Sequence, residues 1–135
     1  MHEWALADGI MKTVLEFAEQ HRAKRIKRVT IVLGELQDVE QEIVEFALKE
    51  MKNGTMAEEA EFRFEEEEAI FKCRNCGYVW KLKDVSSNMN EEIREDIHFV
   101  PEVVHAFLAC PSCGSRDFEV VKGRGVYIRE IVVEE

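Results

Sequence analysis

Cys73-Arg74-Asn75-Cys76-Gly77 and Cys110-Pro111-Ser112-Cys113-Gly114 repeat one pattern, C-x-x-C-G, with 33 residues, Gly77 to Ala109, between the inner cysteines. Two residues between thiolates let one tight turn bring both sulfurs onto a single ion, and the glycine that follows admits the positive φ such turns need. Two such knuckles make one tetrahedral four-cysteine site. Sulfur in every position leaves no place for water, so the expected role is structural and the expected ion is zinc. A redox dithiol usually occurs once, near a βαβ pattern, and two disulfides are the other use of four thiols. The doubled motif with its matching glycines favours zinc over both. Phe71, Tyr78, Trp80, Phe107, Leu108 and Phe118 lie close to the knuckles and are expected to pack around the cluster.

Upstream, from Glu3 to about Arg22, Ala7, Ile10, Met11, Val14, Leu15 and Ala18 recur at helical spacing, with Glu16, Glu19 and Gln20 outside the stripe. This predicts an amphipathic helix. Lys24 to Leu36 alternates Val29, Ile31 and Leu33 with Arg28, Thr30 and Val32, and predicts a half-buried strand with Gly34 near its end or at a bulge. Asp38 can cap a second helix of about Val39 to Lys52, with Ile43, Ala47 and Met51 on one face, Val44 and Leu48 beside them, and Asn53-Gly54 as the stop. Ala60 to Phe64 and Val126 to Val133 read as strands.

The last strand can join the first two in one sheet only if the cysteine region is an excursion. The expected fold is therefore α+β: a small α/β domain of two helices and a three-stranded sheet, residues 1–66 and 122–135, with a zinc-ribbon-like domain, residues 67–121, inserted into it. The acidic run Glu65 to Glu68 at the boundary reads as a solvated connector or the charged end of a strand, because adjacent carboxylates repel and rarely converge on an ion.

At 135 residues and 46% apolar content the chain suits one ordinary domain's worth of core, which excludes a multidomain catalytic machine. Its net charge of -10 repels polyanions, so the nucleic-acid role of many zinc ribbons is not expected. No apolar run approaches the roughly 20 residues that span a bilayer, and Met1-His2-Glu3-Trp4 lacks the basic start of a secretory signal. The expected location is the cytoplasm, with no membrane partner. Of the 28 acids 23 are Glu, while Asn and Gln together number only 7, a composition that leans toward a thermophilic source.

Met1-His2-Glu3 carries a second metal chemistry. A free α-amine, the deprotonated amide nitrogen of His2 and its imidazole can close fused chelate rings in one plane, a nitrogen set that suits Ni(II) or Cu(II). Glu3 could add its amide nitrogen in that plane or its carboxylate from above.

The Met-His-Glu start, the amphipathic helix, the segment Arg28-Val-Thr-Ile-Val-Leu-Gly-Glu-Leu36, the acidic second helix, two C-x-x-C-G knuckles and a closing strand together closely resemble the HypA family. These are nickel metallochaperones for the maturation of [NiFe]-hydrogenases and, in some organisms, urease. The resemblance spans nearly the full length in the same order. It implies a nickel-binding α/β domain joined to a four-thiolate zinc domain, with Ni(II) as cargo delivered alongside a HypB-type GTPase to the hydrogenase large subunit. His2 and Glu3 match the family's Met-His-Glu nickel motif, with Met1 supplying the amine, and Cys73, Cys76, Cys110 and Cys113 match its zinc ligands. Glu40 falls where the family tends to have a carboxylate near the nickel site.

Many members have a short spacing between the knuckles. Here the longer segment includes a helix-like stretch, Asn88 to His98, and continues through Pro101 and His105. If Glu3 does not supply the fourth nickel donor, His98 is the expected accessory ligand, swinging in when the domains close. His21, near the end of the first helix, has a solvated reading. A zinc-ribbon adaptor that only binds other proteins would explain the cysteines and leave His2 without a role. A zinc hydrolase would need an open zinc position and a nearby base, and four cysteines leave neither, so no catalytic residue and no enzymatic activity are expected. A homodimer can form through the first helix or a swapped final strand.

Overall fold

The apolar stripe of the first segment becomes α1, Glu3–Gln20, in the computed structural model, which describes residues 2–85, 92–93, 96–97 and 104–135. Ala7, Ile10, Met11, Val14 and Ala18 are buried along it, while Leu15 is half-buried at the stripe's margin. The helix stops at His21, whose ring stacks on Phe17 at 4.1 Å between centroids, and whose Nδ1 lies 2.9 Å from the Phe17 carbonyl. His21 thus stands exposed at the helix end with a packing partner.

Strand β1, Arg25–Gly34, follows. Its expected alternation holds only at the start: from Val29 to Gly34 every residue is buried. The reason is its central place in a three-stranded sheet ordered β2-β1-β6, where β2 is Glu61–Glu67 and β6 is Val126–Glu134. Lys24 donates to the Glu134 carbonyl at 2.8 Å and Gly34 to the Gly125 carbonyl at 2.8 Å, so β6 runs antiparallel to β1. Each Val or Ile buried here contributes roughly 1.5–3 kcal/mol. Thr30, polar and buried, is satisfied by the Glu130 carboxylate at 3.3 Å.

Glu35–Gln37 forms a 3-10 turn that ends at Asp38 in a left-handed conformation, φ 46°. Asp38 therefore does not cap the second helix. That helix, α2, is Gln41–Met51, and its N-cap is Glu40. The shift follows from the left-handed Asp38, a conformation that Asp tolerates better than most residues. Val44, Ala47 and Leu48 form the buried face, whereas Ile43 and Phe46 are exposed and Met51 is half-buried. α2 packs against α1, with Trp4 edge-on to Phe46 at 6.0 Å.

β2 runs further than expected, so Glu65, Glu66 and Glu67 form the charged end of that strand, the second of the two readings of the acidic run. Glu65 pairs with Arg129, Glu67 accepts the Gly123 N–H at 2.9 Å, and Glu68 faces Lys81 and Lys83 at 3.4 and 3.6 Å. Glu65, Glu67 and Glu68 are thus engaged in structural contacts.

The chain forms two compact units, Met1–Val32 with Val39–Glu65 and Tyr127–Glu135, and Leu33–Asp38 with Glu66–Val126. The second contains a sheet ordered β4-β3-β5, with β3 Ile70–Cys73, β4 Val79–Lys81 and β5 Phe118–Lys122. β3 pairs antiparallel with both neighbours, with Phe71 opposite Trp80 on one side and Val120 on the other. A short helix, α3, covers Val104–Phe107. Its core gathers Leu36, Ala69, Phe71, Trp80, Leu82, Ile97, Val104, Leu108 and Phe118 around Cys73 and Cys110. Phe71, Trp80, Leu108 and Phe118 pack as expected, Tyr78 stacks on Trp80 from an exposed position, and Phe107 is exposed. Of the helix expected over Asn88 to His98, Glu92, Ile93, Asp96 and Ile97 are helical, and the remainder lies outside the described residues. Among the described residues no helix is long and apolar enough to cross a membrane.

Candidate metal centre

The two knuckles fold alike because their sequences dictate the same bonds. In the first, the Cys73 N–H donates to the Tyr78 carbonyl at 2.8 Å and the Gly77 N–H to the Cys73 carbonyl at 2.9 Å. In the second, Cys110 donates to Ser115 at 2.8 Å and Gly114 to Cys110 at 2.9 Å. Gly77 and Gly114 take φ of 77° and 79°, as the motif requires. The first knuckle joins β3 to β4, and the second lies between α3 and β5, so pairing of β3 with β5 brings the two turns together.

The four sulfurs of Cys73, Cys76, Cys110 and Cys113 all lie within 4.8 Å of one another. Cys73 and Cys113 are 3.6 Å apart, as are Cys76 and Cys110. A tetrahedral ion with Zn–S bonds of about 2.3 Å needs sulfurs about 3.8 Å apart. The donor set therefore fits such an ion in number, chemistry and spacing.

Its electrostatics are uneven. The Asn75 side-chain amide, followed by the Ser115 backbone N–H, holds the Cys113 thiol down to about 6. The Tyr78 backbone N–H also acts to lower Cys76, but burial and the three neighbouring thiols outweigh it and push that group up to about 11. Four thiols this close cannot all ionise without a cation to share. A bound divalent ion removes the conflict by drawing all four to thiolate.

The knuckles are also tied directly. Arg74 donates its N–H to the Asp117 carbonyl at 2.9 Å and its guanidinium to the Asp117 carboxylate at 3.0 Å and the Phe118 carbonyl at 3.2 Å. Arg116 reaches the Ala106 carbonyl at 2.7 Å, and His105 lies over Phe118 at 4.2 Å with Nδ1 3.2 Å from the Arg116 carbonyl. His105 is thus a packing residue beside the second knuckle. These contacts, and Asn75 Nδ2 3.6 Å from Cys113 Sγ, are not legible in the sequence. Cys-x-Asn-Cys hints at a side-chain donor, but only the paired strands reveal that it serves the other knuckle.

At the opposite end of the chain, His2 is exposed and occupies the N-cap of α1, with its carbonyl accepting the Leu6 N–H at 3.0 Å. Glu3 opens the helix, and its carboxylate lies 3.3 Å from the backbone nitrogen of Glu40. The structure thus brings Glu3 and Glu40 together through a main-chain donor. Met1 and His98 lie outside the described residues.

The HypA family, described as hydrogenase/urease nickel incorporation, metallochaperone, matches residues 1–133. The chain is similar to the hydrogenase maturation factor HypA of Pyrococcus furiosus, 67% identical over 135 residues, which cover 100% of this chain and 97% of that protein. It is similar also to that of Thermococcus sibiricus, 69% identical over 134 residues, 99% of this chain and 97% of that one. The solution structure of the Ni metallochaperone HypA from Helicobacter pylori superposes with a TM-score of 0.64 over 99% of this chain and 98% of that chain. At 17% identity that likeness speaks to the fold alone.

Proposed function

The chain belongs to the HypA family of metallochaperones for nickel incorporation in hydrogenase maturation, and we propose that it holds Ni(II) at Met1-His2-Glu3 and hands it, with a HypB-type GTPase, to the large subunit of [NiFe]-hydrogenase. The observation that carries this reading is the position of His2, exposed and immediately before α1. The first amides of a helix have no intrahelical acceptor, so deprotonating those of His2 and Glu3 breaks no helix bond. The positive end of the helix dipole favours the resulting anionic nitrogens. The α-amine and the imidazole complete a planar nitrogen set suited to Ni(II).

Glu3's carboxylate is engaged with Glu40, which favours its amide nitrogen as the fourth donor. Glu40, beside it, and His98 complete the proposal as accessory groups. A carrier must release its ion, and an exposed terminus permits that where a closed cage does not. The four cysteines hold zinc in this account and keep it through transfer. Nickel binding then belongs to residues 1–66 and 122–135 and zinc to 67–121, in a cytoplasmic protein that carries metal rather than catalysing a reaction. The test is nickel titration of His2→Ala: stoichiometric nickel is lost while the fold and the zinc remain. Retained stoichiometric nickel overturns the proposal and returns the chain to a zinc-ribbon adaptor.

A further inference from the structure

The four sulfurs are not equally protected. Cys73 and Cys110 are buried at 1% and 3% exposure, whereas Cys76 and Cys113 are exposed. An exposed thiolate is the one that a chelator or an electrophile meets first, and its reactivity depends on the donors around it. Cys76 and Cys113 each make one sulfur–sulfur contact of 3.6 Å, with Cys110 and Cys73 respectively. Cys113 receives, in addition, the side-chain amide of Asn75 at 3.6 Å.

Asn75 comes from the other knuckle, so this bond crosses the centre. Its neighbour Arg74 is fixed to Asp117 and Phe118 by one main-chain and two guanidinium bonds. The backbone carrying Asn75 is therefore held in register with Cys113. An amide that donates to a thiolate spreads its charge and lowers its nucleophilicity, as outer-shell partners do at other metal sites.

We infer that Asn75 is a positioning residue of the metal centre, whose amide restrains the Cys113 thiolate and slows its departure from the ion. This rests on the reading of the four cysteines as a zinc site. Ser112 holds the matching position in the second knuckle and carries no side-chain amide, so the protection is one-sided. Cys76 and Cys113 then differ in reactivity although both are exposed.

The test uses the zinc-loaded full chain and its Asn75→Ala variant, with three readouts: bound zinc, zinc transfer to a colorimetric chelator, and alkylation by iodoacetamide resolved by cysteine. In the variant, Cys113 is expected to react about tenfold faster with Cys76 unchanged, and zinc transfer to speed up by a similar factor. Asn75→Ser, which copies the residue at the matching position of the second knuckle, should lose the protection as Asn75→Ala does, while Asn75→Asp sets a carboxylate against the thiolate and accelerates loss further. Equal acceleration at Cys76 and Cys113 means general loosening and overturns the inference, as does an unchanged Cys113 rate with zinc bound. Failure of the unsubstituted chain to bind zinc overturns the zinc reading, and the inference with it.

Discussion

Glu3 closes the N-terminus of α2: its Oε2 lies 3.3 Å from the backbone nitrogen of Glu40, the helix N-cap, whose own side chain makes no capping bond. The residue assigned to the nickel motif thus also joins the first turns of two helices. Glu3→Ala removes the acceptor and should lower unfolding free energy by about 1 kcal/mol, read as a shift in the urea midpoint. Asp38, expected from sequence to be that cap, instead ends the 3-10 turn, its N–H donating to the Glu35 carbonyl at 3.2 Å. Asp38→Asn, which keeps a residue tolerant of the left-handed conformation, should stay within about 0.5 kcal/mol of the parent.

Two glycines should respond in opposite directions. A Cβ on Gly34 would stand 2.4 Å from the Gly125 carbonyl oxygen and 2.6 Å from that of Gly123, and neither main-chain group can move as a side chain does. Gly34→Ala is expected to cost about 3 kcal/mol. Gly9 sits exposed in α1 with nothing within 4 Å, so Gly9→Ala should gain about 0.5–1 kcal/mol through helix propensity. Thermal denaturation of both variants checks the contrast.

Acid stability should report the link between β1 and β6. The Arg28 guanidinium, bonded at 3.1 and 3.2 Å, holds the Glu130 carboxyl below its ordinary value of 4.5, with Thr30 adding to the effect and burial opposing it. A carboxyl lowered in the folded state contributes stability above its unfolded value and loses it as pH falls through the folded one. The stability difference between the parent and Glu130→Gln should therefore be constant above about pH 5. It should shrink on further acidification. Urea midpoints measured from pH 6 to pH 3 test this.

Metal removal should act on one unit. Cys73 and Cys110 are part of the core around Phe71, Trp80 and Phe118, so withdrawing the ion uncovers sulfur charge and loosens that core. A strong chelator should abolish the near-ultraviolet signal of Trp80 and speed amide exchange in β3 to β5. α1 and β1 as far as Val32 should remain protected. With Cys113 at about 6 and Cys76 at about 11, the thiols differ in how many protons they still hold near neutrality. Zinc loading at pH 7.5 should release fewer than four protons, read by calorimetry in buffers of different ionisation enthalpy, and affinity should fall with pH.

The periodicities that placed α1, β1 and β6 are local, and their neighbours did not overrule them. The same holds for the knuckles, where spacing and glycine together specify a turn. What escaped the sequence depended on neighbours distant in the chain. Asp38 looked like a cap until the 3-10 turn before it set its backbone left-handed. Val29 to Gly34 looked half-buried because a pattern of Arg28, Thr30 and Val32 does not show a strand's central place in its sheet. That Asn75 serves Cys113 depends on the pairing of β3 with β5, which brings the other knuckle beside it. Tyr78 stacks on Trp80 at 6.2 Å between centroids yet stays exposed, as does Phe107, because proximity in sequence to a cysteine says nothing of the face a side chain takes.

The central claim is that a free amino terminus and His2 together hold the cargo. Its most direct test is equilibrium nickel binding to the chain and to a form with one glycine added before Met1, with zinc measured in both. The added residue moves the amine out of the chelate ring and leaves every side chain in place. The account predicts one nickel per chain in the parent, loss of that nickel in the extended form, and full zinc in each. Stoichiometric nickel of undiminished affinity in the extended form would contradict it.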